Sequence, residues 1–136
     1  MPEADLVARG VSHTFGTGSA AAPALRNVDI GFDRGRLHLI MGPSGSGKTT
    51  LLSILGSLLT PDSGEVLLLG TKLRTLPEAE RAILRRRHIG FVFQSFRLFR
   101  ALTALENVLV ALDIAGRPGR AAREAAERAL TSVGLE

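Results

Sequence analysis

The sequence predicts an α/β domain with a mainly parallel core, and three observations carry that expectation. Two short apolar runs, Leu37–Met41 and Ile89–Phe93, have the length and composition of strands buried on both faces of a sheet. Stretches with helical periodicity or helix-capping spacing follow these runs and separate them. A chain of 136 residues leaves room for one compact domain, and strands alternating with helices make a layered α/β architecture the natural way to build it.

Leu6 to Phe15 is read as a strand with Leu6, Ala8 and Val11 among polar residues, weakened at Gly10. Gly16 to Pro23 is a loop of small residues. Leu25 to Asp33 alternates Val28, Ile30 and Phe32 with polar or small neighbours, the pattern of a half-buried strand, and Asp33-Arg34-Gly35 turns the chain into the apolar run at 37–41. Lys48 to Leu59 places Leu51, Leu52, Leu55, Leu58 and Leu59 on one helical face. Thr60-Pro61-Asp62-Ser63-Gly64 stops that helix and leads into a strand from Glu65 to Leu69. Thr75-Leu76-Pro77-Glu78 has capping-box spacing and opens a polar helix through Arg86. Thr103-Ala104-Leu105-Glu106 repeats the spacing and opens a helix to Ala115, ended by Gly116 and Pro118. A last, alanine-rich helix runs from about Arg120 to Val133.

Composition narrows the function classes. The hydrophobic share of 45% and charged share of 22% are those of a globular protein. No apolar run reaches the length of a membrane span, and Met1-Pro2-Glu3-Ala4-Asp5 lacks the basic and apolar regions of a secretory signal. With no cysteine there are no disulfides and no thiolate metal sites, so a cytoplasmic location is expected. The net charge of +4 is carried mostly by arginines interleaved with glutamates, and no nucleic-acid partner is expected from it. His13, His38 and His88 show no metal-ligand spacing. The arginines at 81, 85, 86 and 87 read as a solvated helix face.

One motif carries chemistry. Gly42-Pro43-Ser44-Gly45-Ser46-Gly47-Lys48-Thr49 matches the phosphate-loop pattern Gly-x-x-x-x-Gly-Lys-Ser/Thr at every required position, between an apolar run and a helix. Glycines let the backbone curl so that successive N–H groups face one concavity, a nest for an anion. The helix start adds the positive end of its dipole. Lys48 is placed to reach the outer phosphates of a nucleoside triphosphate, and the Thr49 hydroxyl to ligate Mg²⁺. A dinucleotide-binding reading fails because Gly45-Ser46-Gly47 would need Gly or Ala at 50, where Thr50 stands. The motif alone leaves GTPases, kinases, helicases and transport ATPases open.

The rest of the chain separates these. Gly42 to Leu52, Thr60 to Val66, Ile89-Gly90-Phe91-Val92-Phe93-Gln94, and Leu102 to Val108 with its Leu-Thr-x-x-Glu-Asn-Val pattern resemble the ATP-binding-cassette (ABC) family in the expected order, over essentially the whole chain. Leu67-Leu68-Leu69-Gly70 and Phe91 to Phe96 are most similar to its lipoprotein-releasing and macrolide-export branch. The resemblance implies an α/β phosphate-loop NTPase fold of the ABC nucleotide-binding type, with a nucleotide-binding core over about 1–94 and the start of a helical subdomain over about 95–136. It implies ATP and Mg²⁺ as ligands, with Gly42 to Thr50 on the phosphates. Phe15 would stack on adenine, where tyrosine is commoner in the family; from the residues alone the alternative is a core aromatic at a strand end. Lys48 and Gln94 would be catalytic, and Gln94 would share Mg²⁺ with Thr49 and signal to a membrane partner. Arg100 stands where relatives often carry proline. The implied partners are a transmembrane permease and a second ATP-binding domain, with the subunit peripheral on the inner face of the cell membrane.

The family's signature segment, Walker B carboxylates and switch histidine have no counterpart in this sequence, so the chain is read as the front part of such a domain, inactive by itself. Two other readings stay open at this point: a cassette ATPase of DNA repair or translation, and a nucleotide-binding module without catalysis.

Overall fold

The computed structural model describes residues 4–135. Residues 1–3 and Glu136 lie outside that span. The chain divides into two compact units, Met1–Arg85 and Arg86–Glu136.

The first unit is built on a four-stranded sheet of β1 (Leu6–Phe15), β2 (Ala22–Phe32), β3 (Ser63–Leu68) and the short β4 (Thr71–Lys72), in the order β2-β1-β3-β4. Every pairing is antiparallel. β1 occupies exactly the stretch its alternation predicts, but Gly10 acts as a bulge within it rather than as a break. Ala8 pairs with Ile30 and Val11 with Val28, so three steps along β1 match two along β2. The same extra residue shows against β3, where Arg9 pairs with Glu65 and Ser12 with Ser63. Gly10 takes φ 59°, a left-handed conformation that glycine adopts without penalty. Side chains replace the ladder bonds lost there: Asp29 Oδ1 accepts from Gly10 N at 2.8 Å and Ser12 Oγ from Asn27 N at 2.9 Å. The bulge turns Ala8 and Val11, three positions apart, onto the same buried face.

α1 (Lys48–Leu55) lies against β1 and β2 and buries Leu51, Ile54 and Leu55. Burial of such side chains contributes about 1.5–3 kcal/mol each. The face expected from periodicity is corrected in two ways. Ile54 is the most buried residue of the helix, and Leu52 and Leu58 are half exposed, because the helix stops at Leu55 and Ser57 turns left-handed at φ 55°. Arg85, from α2 (Glu78–His88), donates to the Ser57 carbonyl at 2.7 Å and so satisfies a group freed at that helix end. Arg81 and Arg85 are therefore largely covered, while Arg86 and Arg87 are exposed as expected. The capping box expected at Thr75 does not form. Its hydroxyl donates to Lys72 O at 2.9 Å, closing a short turn, and the Glu78 carboxylate faces Arg81 at 2.7 Å.

The second unit packs α3 (Ala104–Ile114) on α4 (Arg120–Thr131), with Ala122 and Ala126 on the buried face of α4. Here the capping box is complete. Thr103 Oγ1 accepts from Glu106 N at 3.2 Å, and Glu106 Oε2 accepts from Thr103 N at 2.7 Å. Asn107 fastens the approach to the helix, donating to the carbonyls of Phe99, Leu102 and Thr103 and accepting from Phe99 N at 2.8 Å.

The parallel core expected at 37–41 and 89–93 is not formed by the described residues. Both segments lie outside the sheet, and Leu37 and Val92 are 98% and 101% exposed. A parallel strand needs a laddered neighbour, and among the described residues neither run has one.

Candidate nucleotide-binding site

The phosphate loop leaves the extended segment at 37–41 and ends in α1, all within the first unit. Gly47 is the N-cap of α1, at φ 86°, with no side-chain cap and no acidic residue in the first turn of the helix. The first-turn amides of α1 therefore have neither an intrahelical acceptor nor a capping oxygen, the arrangement that receives an anion at a helix start. β2 forms the wall behind Gly47. A Cβ placed there would collide with the Ala24 carbonyl oxygen and come within 2.9 Å of Leu25 Cδ2. A Cβ at Gly42 would come within 2.8 Å of Ser46 Oγ. The cradle thus exists only with bare backbone at its two ends.

The Lys48 side chain folds back over the loop. Its ammonium donates to Pro43 O at 2.7 Å, Gly42 O at 2.8 Å and Ser46 Oγ at 3.4 Å. All its partners among the described residues are uncharged, so its positive charge is oriented without being neutralised. That is the electrostatic condition for an anion to be drawn to the cradle. Pro43 contributes a carbonyl here, as well as accepting from Ser46 N at 3.3 Å. Ser44 and Gly45 form the exposed tip of the loop; Thr49 is exposed in the first turn of α1 and Thr50 half buried behind it.

Phe15 reaches the same region through strand pairing. It lies opposite Ala22, as Thr14 lies opposite Pro23, and the next residues of β2, Ala24 and Leu25, are the ones that back Gly47. Phe15 is 48% exposed, leaving an aromatic residue open at the loop end of the strand pair. Gln94 belongs to the second unit, in an exposed turn after the 89–93 segment. The residues that sequence reasoning missed are Ala24 and Leu25, whose contact with the loop is tertiary and leaves no local signal, and His13, which packs on Phe15.

A phosphate-binding loop between an extended segment and a helix, with its lysine folded onto it, defines the chain as a phosphate-loop nucleotide-binding domain. Within that class the chain belongs to the ABC transporter family: the family's model matches residues 25–136. An uncharacterized ABC transporter ATP-binding protein of Methanocaldococcus jannaschii is 44% identical over 94% of this chain and 57% of its own length. A lipoprotein-releasing system ATP-binding protein, LolD 2, of Rhodospirillum rubrum is 46% identical over 95% of this chain and 56% of its own. A macrolide export ATP-binding/permease protein, MacB, of Rhodopseudomonas palustris is 42% identical over 93% of this chain and 19% of its own. Among solved structures, a dimeric ATP-binding cassette in a post-hydrolysis state with ADP and Pi has a TM-score of 0.86 at 40% identity, over 96% of this chain and 58% of that one. The fold is the ABC ATPase fold, and the chain spans a little over half the length of the single-cassette relatives it matches.

Proposed function

We propose that the chain is part of the ATP-binding subunit of an ABC exporter, and that it holds Mg·ATP on the loop Gly42–Thr49. The observation that supports this best is the Lys48 ammonium, held by uncharged acceptors over a bare-backbone cradle at an uncapped helix start. In this reading the amides of Gly45 to Thr49 receive the phosphate oxygens, with Thr50 adding a hydroxyl. Lys48 moves from the Gly42 and Pro43 carbonyls to the outer phosphates, exchanging neutral partners for anionic ones. Bound Mg²⁺ would supply neutralisation of the negative charge on the outer phosphates. Thr49 and Gln94 are the residues of this chain that would hold it, since both are exposed and carry the oxygen donors a hard cation takes. Phe15 offers its exposed ring to the base.

Residues 1–94 are proposed as the nucleotide-binding core and 95–136 as the start of the helical subdomain. ATP hydrolysis, a second ATP-binding domain as partner, a transmembrane permease and a position at the inner face of the membrane are proposed for the whole protein. The export direction is supported by likeness to the lipoprotein-releasing and macrolide-export proteins. Among the described residues no helix is long and apolar enough to cross a membrane. Equilibrium dialysis of labelled ATP with and without Mg²⁺ tests the central claim. Saturable, Mg²⁺-dependent binding that tripolyphosphate displaces is expected; its absence from the folded chain overturns the reading.

A further inference from the structure

His13 is 8% exposed, the one buried polar residue among those described. Its ring meets that of Phe15 edge to face, centroids 4.7 Å apart and planes at 87°. Its Nδ1 lies 3.2 Å from Asp62 Oδ1, but off the line of a ring N–H bond. Asp62 is itself held from both sides. Its Oδ2 accepts from Thr14 N at 2.7 Å, and its own N donates to Ser12 O at 3.0 Å. A leucine or valine would fill the position without leaving a polar atom imperfectly bonded in the core, which carries a desolvation cost. What the imidazole adds is a flat ring, buried and set perpendicular to the aromatic surface at the phosphate loop.

We propose that His13 is a positioning residue for Phe15: it fixes the angle of that ring and so sets affinity for the base of the nucleotide without affecting the phosphates. The proposal rests on the reading of Phe15 as the base-stacking residue. An isolated phenylalanine at a strand end turns about χ1 and χ2, and a partner ring locked edge-on removes that freedom before the base arrives. His13 acts through Phe15 alone.

The test is equilibrium dialysis of the chain at sub-micromolar concentration with two probes, Mg·ATP and Mg·tripolyphosphate, the second having phosphates and no base. His13→Ala is expected to weaken ATP binding roughly three- to tenfold and to leave tripolyphosphate binding within about twofold. His13→Phe, which restores a flat ring, is expected to recover most of the ATP affinity. In the His13→Ala/Phe15→Ala double variant, ATP binding should be no weaker than in Phe15→Ala alone, the non-additivity of residues that act as one. Equal loss of both probes, or of both ATP signals independently in the double variant, overturns the proposal and makes His13 a structural residue only. Unchanged ATP binding in His13→Ala beside a loss in Phe15→Ala overturns it too, with the stacking role of Phe15 intact. Unchanged ATP binding in Phe15→Ala removes the underlying reading itself.

Discussion

The ammonium of Lys48 sits 2.7 Å from the carbonyl oxygen of Pro43, so the side chain that follows the loop also ties down its beginning. Lys48→Ala therefore removes two things, the charge that would face the phosphates and the staple across the loop. A charge-assisted hydrogen bond contributes about 1.5–3 kcal/mol. Mg·ATP affinity should fall by one to two orders of magnitude on that basis, as read by equilibrium dialysis. Affinity equal to the parent chain's would remove Lys48 from the site.

Gly47→Val should abolish ATP binding by a different route. Its Cβ would be driven into the Ala24 carbonyl and Leu25, and φ 86° is strained for a β-branched residue. A lower thermal midpoint should accompany the lost affinity, because the clash is with the β2 backbone. Full binding in Gly47→Val would show that the cradle is not where the phosphates lie.

Turnover by this chain alone is expected to stay at background. Phosphoryl transfer needs an oriented water and a completed metal shell besides the cradle. Among the described residues no cluster of three or more His, Asp or Glu side chains could assemble one. Phosphate release on material free of other ATPases is the measurement. Hydrolysis abolished by Lys48→Ala would reveal a catalytic group not recognised here.

The Glu106 carboxyl titrates below the ordinary glutamate range, chiefly because the Thr103 backbone N–H donates to its charged form, with the Thr103 hydroxyl adding a second bond. A depressed carboxyl contributes stability that is fully present above the ordinary glutamate value and lost as pH falls through the depressed one. The stability difference between the parent and Glu106→Gln should therefore be present at neutral pH and vanish in acid, followed by circular dichroism. Thr103→Ala, which removes the N-cap itself, should cost about 1 kcal/mol. A parent–Gln difference that stays constant down to pH 2 would mean that the box does not hold α3.

Above sub-micromolar concentration the chain alone in water should self-associate. Leu37, Leu39, Met41 and Val92 are exposed on segments that carry unpaired backbone groups, and such apolar edges invite pairing with other chains. Sedimentation velocity at micromolar concentration, with urea unfolding followed by circular dichroism and hydrogen exchange, decides the matter. A monomer with coincident midpoints would show that these segments need no partner.

What was legible in the sequence was local. The limits of β1, the phosphate loop and the Thr103 capping box each depend on residues within one turn or one strand, and each is found where its pattern lies. Thr75 shows where locality fails: the spacing is the same as at Thr103, but its hydroxyl is engaged by Lys72 O in the preceding turn. Leu37–Met41 fails for a longer-range reason, since an apolar run becomes a strand only beside a partner, and composition does not say whether one is present. The wall behind Gly47 was illegible for the same reason. Ala24 and Leu25 are unremarkable by sequence and matter only because β2 is registered on β1.

That register has a consequence for how β1 tolerates change in length. The extra residue at Gly10 shifts the phase of the strand once, so that His13 and Phe15 emerge on the side they share with Ala8 rather than on the opposite one. β1 thus works as a gauge between the interior of the first unit and the aromatic ring beside the loop. Deleting Gly10 would only restore regular alternation, whereas deleting one residue between Val11 and Phe15 would turn that ring to the wrong side of the sheet. Point substitutions on the exposed side of β1 should be absorbed far more readily than one-residue insertions or deletions.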